Sequence, residues 1–339
     1  MKMSTAASSL TEIPIIDLAP LIAPDARPED IQKTAEAIGW ACRNVGFFYI
    51  RNHGLPADHR EKALAEVKRF FDLPREEKMK LHMRGSSQFR GYVPLCGEIT
   101  EGKKDWHECI DLQPLEDEDG TARVGRHALD DPGQWPETLP SFRQVMMQSW
   151  DQLYGLSGKV AEGIARSLGL EARYFEAFAG PDLCALRLTH YPAFRETART
   201  DDIDSGMGAH CDLGFLAILQ QDDVGGLEVL RADGQWIEAS HIPGTCLVNI
   251  GEMMQRWTND VYRATLHRVR LPGDRSRYAT PFFFEPRYDT VVVPLPVCCS
   301  EDDPPRYEPF LFGEYLTGRF SKAYKAKAPA PEDAQHSTV

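Results

Sequence analysis

The sequence contains no hydrophobic run of the length needed to span a membrane and no excess of positive charge. Its 339 residues include 38 Lys and Arg against 51 Asp and Glu, which gives a formal net charge of −13. A nucleic-acid partner would require a basic surface, and an anionic membrane surface would repel this chain. Residues 1–12 are small and polar, without the apolar stretch of a secretory signal. These absences predict a cytoplasmic protein that binds neither nucleic acid nor a membrane.

The eight cysteines also lack the spacing of a zinc or redox motif, because no C-x-x-C occurs. Only Cys298 and Cys299 are close in sequence, and adjacent cysteines rarely bond to each other, given the separation that a disulfide requires. We therefore expect free thiols, most of them buried, in agreement with a cytoplasmic location.

What the sequence does contain is the composition of an ordinary globular protein, with 42% hydrophobic and 26% charged residues. We predict a flexible N-terminus at 1–12 and one domain over 13–325. This domain would combine a part of mixed helices and strands, about 13–112, with a strand-rich core, about 181–295. The Ala- and Pro-rich tail at 326–339 is predicted to be disordered.

The strand-rich part begins after Pro181, where short alternating segments are separated by turn residues. About eight such segments predict a sandwich or barrel. Before it, an apolar stripe at helical spacing predicts a long helix from Ser141 to Leu168 that braces one sheet from outside. The predicted strands include 184–191, 213–219, 245–250, 263–270 and 277–284.

The segment His210-Cys211-Asp212 contains two types of metal ligand. Side chains alternate between the faces of a strand, so His210 and Asp212 would point the same way. Two imidazoles and one carboxylate on one face of a divalent iron leave its other positions open, as in non-haem Fe(II) oxygenases. By itself the segment also fits a solvated strand end, since His and Asp are common residues.

His267 and Arg277 make the combination much rarer. His267 stands in the alternating segment 264–270, which is typical of a half-buried strand. Arg277 begins the apolar segment 277–284, where an unpaired guanidinium would be costly to bury. A carboxylate or phosphate held by two hydrogen bonds would offset that cost, and a surface acid is the alternative partner.

On these residues the sequence resembles the isopenicillin N synthase-like family of Fe(II)/2-oxoglutarate-dependent dioxygenases, from about Ile13 to Arg319. The resemblance also includes the segments 13–18, 46–49, 52–54, 70–74, 90–92, 225–229 and 249–251.

The resemblance implies a mainly β fold with flanking helices around a double-stranded β-helix, or jelly-roll, core. It implies that His210, Asp212 and His267 bind Fe(II). It also implies that Arg277 and Tyr191 bind the far carboxylate of 2-oxoglutarate. Such an enzyme uses O2 to hydroxylate or desaturate a small molecule and releases succinate and CO2. Members commonly have a serine two residues after the arginine, where this chain has Ala279, so we expect one hydrogen bond fewer to that carboxylate.

Arg90 and Tyr92 are candidates for substrate contact, because this part of the chain helps to wall the substrate pocket in the family. The alternative for Arg90 is an ion pair with Asp111 or Glu108.

Leu213 and Phe215 are further candidates, because they stand where relatives often have Tyr and Thr. With Ala217 they predict a pocket that is more apolar than usual, in which Arg90 anchors a polar or acidic end. The alternative is that they pack inside the sheet.

Two other functions remain open at this stage. One is a family oxidase that does not use 2-oxoglutarate as co-substrate, or that fragments it, as the ethylene-forming branch does. The other is a binding protein that kept the fold and lost the chemistry, which the intact ligand set and Arg277 disfavour.

Overall fold

The computed structural model of the protein describes residues 12–83, 90–113, 135–195 and 200–325. The predicted N-terminal segment, apart from Glu12, and the predicted tail at 326–339 lie outside these ranges. No helix within them has the length and hydrophobicity to cross a lipid bilayer. The helices are α1 (Ala19–Ile22), α2 (Pro28–Asn44), α3 (Ala57–Phe71), α4 (Arg75–Met79), α5 (Phe142–Ser167), α6 (Glu252–Trp257) and α7 (Phe312–Lys325).

The strands are concentrated after residue 184. They are β1 (Ile15–Asp17), β2 (Phe47–Arg51), β3 (Gly91–Val93), β4 (Ile99–Thr100), β5 (Lys103–Lys104), β6 (Glu108–Leu112), β7 (Ala185–Tyr191), β8 (Met207–His210), β9 (Leu216–Gln221), β10 (Leu227–Leu230), β11 (Trp236–Glu238), β12 (Cys246–Ile250), β13 (His267–Val269), β14 (Arg277–Phe284), β15 (Val291–Val292) and β16 (Phe310–Leu311).

Two sheets form the core. The larger has the strand order β1-β2-β12-β9-β14-β7-β6-β3, and the smaller has the order β11-β10-β13-β8. Tyr191 and Ala279 of the larger sheet share a buried cluster with Leu227 and Val269 of the smaller one. The sheets therefore pack face to face, and the fold is the jelly roll that the resemblance implied.

Strand β14 separates a core face from a cavity face. Phe282 and Phe284 point outward and contact helix α5, with ring centres 5.4 Å from those of Trp150 and Tyr154 respectively. This confirms the prediction that a long helix braces a sheet from outside. The alternate residues face the space between the sheets: Arg277, Ala279, Pro281 and Phe283.

Two predicted strands are shorter than expected. The strand predicted from residue 213 begins at Leu216, because the preceding backbone pairs with the start of α6: Glu252 N donates to Asp212 O at 2.8 Å, and Met253 N to Leu213 O at 3.0 Å. The strand predicted over 263–270 is shortened to β13, because Ala264 and Thr265 before it donate hydrogen bonds to Gln255 and Val45 instead. Both differences occur next to residues that were predicted to bind metal, Asp212 and His267.

Candidate active site

The residues predicted to bind metal come together between the two sheets. His210 ends strand β8 and pairs across the sheet with His267, the first residue of β13. Asp212 lies two residues beyond β8, and its Oδ1 atom is 3.7 Å from His210 Nε2 and 3.9 Å from His267 Nε2. One ligand atom from each residue lies within 4.8 Å of the others, so these side chains could hold one metal ion.

Hydrogen bonds fix which nitrogen of each imidazole faces this point. His210 Nδ1 is 2.9 Å from Gly208 O, and His267 Nδ1 is 3.1 Å from Thr265 O. Because a carbonyl oxygen only accepts, each Nδ1 carries a proton, and each Nε2 is the atom that can bind a metal. Burial, followed by the nearby His210, lowers the pKa of His267 to about 4, which favours the neutral imidazole that a metal ligand requires.

Asn249 orients the carboxylate, and sequence reasoning did not assign it this role. It lies in β12, is 5% exposed, and donates from Nδ2 to Asp212 Oδ2 at 2.6 Å. The hydrogen bond leaves Oδ1 directed at the two histidines. Partners of this kind hold a metal ligand in position and usually matter for metal affinity.

A cavity of about 670 Å³ contains the metal-ligand group. Its volume is in the range of small-molecule sites in proteins. Strands β7, β9 and β14 line it from the larger sheet, and strands β8, β10 and β13 line it from the smaller sheet. Three neighbouring strands of the larger sheet thus contribute to its wall, and the metal ligands belong to the lining as well.

Arg277 lies in this cavity and is 2% exposed. Its Nη2 atom donates to Gln221 Oε1 at 3.1 Å, and its guanidinium carbon lies 4.8 Å from the ring centre of Tyr191. Nε and Nη1 have no hydrogen-bond partner among the described residues. A buried guanidinium with two unused donors fits a carboxylate bound by two parallel hydrogen bonds. This part of the cavity therefore fits the distal carboxylate of 2-oxoglutarate.

Two neighbours of Arg277 complete this end. Burial raises the pKa of Tyr191 to about 12, so its hydroxyl is neutral and can donate a hydrogen bond. Ala279, 4% exposed, pairs with Gln221 across the β9–β14 ladder and offers no hydroxyl. Sequence reasoning missed Gln221. The signal was its position on the same strand face as Ala217 and Leu219, two residues that line the cavity.

Arg90 lines the cavity, as predicted for a substrate contact. It is 6% exposed and donates from Nη2 to Leu183 O at 3.2 Å, while its Nε atom has no partner among the described residues. It forms neither of the alternative ion pairs: Asp111 binds Arg187 through two hydrogen bonds of 2.7 and 2.8 Å, and Glu108 binds Lys78 at 2.8 Å.

Of the other substrate candidates, Leu213 lines the cavity, whereas Tyr92 and Phe215 lie outside its lining. Tyr92 is 2% exposed and its hydroxyl donates to Glu108. Phe215 packs in the core, with its ring centre 4.9 Å from that of Phe175. The expected alternation fails because β9 begins only at Leu216, so Leu213 and Phe215 do not share a strand face.

A second group of possible metal ligands consists of Glu98, which lines the cavity, and His107 and Cys109, which lie behind it. Arg187 Nη1 is 3.3 Å from Glu98 Oε2, and His107 Nε2 is 3.1 Å from the same oxygen. The guanidinium already supplies a positive charge here, so we interpret this group as an ion-pair network that holds Arg187 in the cavity wall.

Two family models match the chain. The model for the N-terminal part of non-haem dioxygenases of morphine synthesis matches residues 13–138, and that for the 2OG-Fe(II) oxygenase superfamily matches residues 183–286. The second match contains His210, Asp212, His267 and Arg277.

Relatives match over almost the whole chain. A homoarginine-6-hydroxylase of Oryza sativa subsp. japonica is 37% identical over 91% of this chain and 96% of its own length. A Neurospora crassa protein crystallised with alpha-KG and thymine superimposes with a TM-score of 0.81 at 27% identity, covering 94% of this chain and 99% of its own. JOX2, crystallised with 2OG, Fe and JA, has a TM-score of 0.74 at 30% identity, covering 90% and 84%. The chain belongs to the isopenicillin N synthase-like family of 2-oxoglutarate- and Fe(II)-dependent oxygenases.

Proposed function

We propose that this oxygenase hydroxylates a small basic amino acid. In this proposal His210, Asp212 and His267 hold the iron, and Arg277 with Tyr191 and Gln221 holds 2-oxoglutarate. Bound iron and 2-oxoglutarate supply the oxidising power for inserting one atom of O2 into a C–H bond, with release of succinate and CO2. The chain's own residues orient the co-substrate and select the substrate.

The assignment of the co-substrate residues rests on unsatisfied hydrogen-bond donors. Arg277 is buried in the same cavity as the metal-ligand group, and two of its donors have no partner among the described residues. Burying a charge without a partner is costly, and the dianionic co-substrate would supply the missing carboxylate. Its other end would then be free to bind the iron.

The proposed substrate class rests on the charge of the cavity wall. Apart from Arg277 and the metal-ligand residue Asp212, the wall contains five carboxylic acids and three guanidinium groups, which leaves an excess of acidic groups. They are Glu98, Glu101, Asp111, Glu252, Glu285, Arg90, Arg187 and Arg319. Such a wall favours a substrate with net positive charge. The rice relative, named as a homoarginine-6-hydroxylase, supports the same class.

The test is coupled turnover on a panel of substrates. Purified protein is supplied with Fe(II), 2-oxoglutarate and O2, and succinate is measured with homoarginine, arginine, lysine, leucine, thymine or jasmonate. We expect succinate in proportion to a product that has gained one oxygen atom, and only with the basic amino acids. Turnover with thymine or jasmonate but with no basic amino acid would refute the proposed substrate class.

The Asp212→Ala variant is the matched control. It retains the acidic and basic groups of the wall but lacks the carboxylate ligand, so succinate formation should fall to background with every substrate. Activity of this variant equal to that of the wild type would refute the metal-ligand assignment.

A further inference from the structure

Glu285 lies at the far end of the strand face that begins with Arg277. It directly follows β14 and is the fifth alternate residue on the cavity side of that strand. At a rise of about 3.4 Å per residue, the eight steps from Arg277 to Glu285 span roughly 27 Å. One strand therefore places a guanidinium near one end of the cavity and a carboxyl group near the other.

The Glu285 carboxyl group is buried and forms no ion pair among the described residues. It is 6% exposed, and its Oε2 atom accepts one hydrogen bond, from Phe215 N at 3.2 Å. Burial raises its pKa to about 8, although the charge of Arg90 acts in the opposite direction. A cationic group entering the cavity would supply the partner that this carboxylate lacks.

The absence of a side chain at Gly214 leaves the space that this carboxyl group occupies. A Cβ atom at position 214 would overlap both carboxylate oxygens of Glu285. The residue after Leu213 must therefore lack a side chain for Glu285 to lie against this turn. Together with the hydrogen bond from Phe215 N, this contact holds Glu285 against the residues just before β9.

Arg90 is the complementary group on the same part of the wall. It is held by Leu183 O, and Glu285 N lies 3.3 Å from the sulfur of the next residue, Cys184. Consecutive residues of the chain thus contact the Arg90 guanidinium and the Glu285 backbone. Arg90 is buried, faces the cavity and makes no ion pair among the described residues. A carboxylate is the natural ligand for such a guanidinium.

We propose that Arg90 and Glu285 bind the α-carboxylate and the α-ammonium group of the substrate, respectively. These two substrate groups are separated by a single carbon atom, which suits opposite charges on neighbouring parts of one wall. Binding of the head group here leaves the substrate side chain for the part of the cavity that contains His210, Asp212 and His267. This inference rests on the proposed function, because it assumes an amino-acid substrate.

The first test uses the wild-type protein and therefore does not depend on the folding of any variant. Homoarginine is compared with 6-guanidinohexanoate, which lacks the α-ammonium group, and with homoargininamide, which lacks the α-carboxylate. Removing one partner of a buried charge pair weakens binding by about 30-fold or more. We expect the KM for each analogue, determined from rates of succinate release, to be higher than that for homoarginine by at least this factor. An unchanged KM for either analogue would refute the corresponding contact.

The second test assigns each contact to its residue. Glu285→Gln should raise KM for homoarginine about 30-fold or more, and change it less than about threefold for 6-guanidinohexanoate. Arg90→Gln should show the same contrast between homoarginine and homoargininamide. Arg173→Gln, which removes a charge from an exposed side chain outside the cavity lining, is the matched control and should leave KM unchanged for homoarginine and both analogues. Equal effects of a variant on homoarginine and on its analogue would refute the assignment.

Two controls separate the possible failures. The dissociation constant of 2-oxoglutarate should stay unchanged in the Arg90 and Glu285 variants, because Arg277 lies at the other end of β14. If wild-type protein oxidises no amino acid, the proposed function fails and the head-group assignment fails with it. If it oxidises homoarginine but the variants lose no discrimination, only the assignment of Arg90 and Glu285 fails.

Discussion

Replacing Arg277 by glutamine should have opposite effects on co-substrate binding and on the stability of the ligand-free protein. The wild-type side chain is 2% exposed and makes one hydrogen bond, to Gln221, while Nε and Nη1 have no partner among the described residues. In the ligand-free protein, burying a guanidinium with two unsatisfied donors is unfavourable. When a carboxylate is bound, the same two donors form a strong binding site.

The size of both effects follows from this geometry. Each unsatisfied buried donor costs about 1–3 kcal/mol, and the hydrogen bond to Gln221 contributes about 1.5–3 kcal/mol. The attraction to the Tyr191 ring contributes about 0.5–2 kcal/mol. We therefore expect ligand-free Arg277→Gln to be as stable as the wild type, or up to about 2 kcal/mol more stable. Losing the charged contact to 2-oxoglutarate should raise its dissociation constant about 30-fold or more.

The assay measures the free energy of unfolding in urea with and without 2-oxoglutarate, on anaerobic Fe(II) protein. At a concentration of 100 times the wild-type dissociation constant, the ligand stabilises the wild type by about 2.7 kcal/mol. A variant with roughly 30-fold weaker binding would gain only about 0.9 kcal/mol. Arg277→Lys, which keeps the charge and loses the paired donors, should lie between them. A variant that is clearly less stable without ligand, or that gains as much from ligand as the wild type, would refute the reasoning.

Four further predictions concern single residues. Asp212→Ala should lose iron and turnover but keep its circular dichroism spectrum, because the core lies in the strands; retained iron would contradict the ligand assignment. Ala279→Ser should restore a donor opposite Gln221 and tighten 2-oxoglutarate binding by at most about 1.5–3 kcal/mol in calorimetry, and weaker binding would indicate a different pose. Phe215→Ser should destabilise the protein by about 3–5 kcal/mol in urea, as expected for truncating a core aromatic residue; a stable variant with altered KM would place Phe215 in the pocket instead. Burial raises the pKa of Glu285 from 4.5 to about 8, so the folded metal-free protein holds a proton that the unfolded chain releases in this range, and stability is lost as pH rises. Glu285→Gln removes that loss, so its stability relative to the wild type should increase by about 2–4 kcal/mol from pH 5 to pH 8; an equal difference at both values would contradict the raised pKa.

The sequence alone indicated the fold class and the residues that come together around the metal position. Alternation with a period of two revealed the strands of the core, and the apolar stripe at helical spacing revealed helix α5 almost to its ends. His210, Asp212, His267 and Arg277 stand out only in combination, because H-x-D alone also fits a solvated strand end and the full set matches the family. Local pattern was sufficient for the secondary structure, whereas the site residues required the resemblance.

Local pattern failed where the chain leaves regular structure. Leu213 and Phe215 are two residues apart and were expected on one face, but the backbone from Asp212 pairs with the start of α6 before β9 begins. Phe215 therefore enters the core while Leu213 faces the cavity. Tyr92 was expected in the pocket because this part of the chain helps to wall it in the family, yet its hydroxyl donates to Glu108 away from the cavity lining.

Only the tertiary structure decided which polar groups meet. Asn249 orients Asp212 across 37 positions of sequence, and Phe215 N binds the carboxyl group of Glu285 across 70. Strand alternation does place Glu285 on the cavity face, but it does not show that the carboxyl group is buried without a cation. Whether a buried charge is paired depends on side chains from distant strands and on the missing side chain of Gly214. Pairing and burial are properties of the packed sheets, so no pattern within one segment could reveal them.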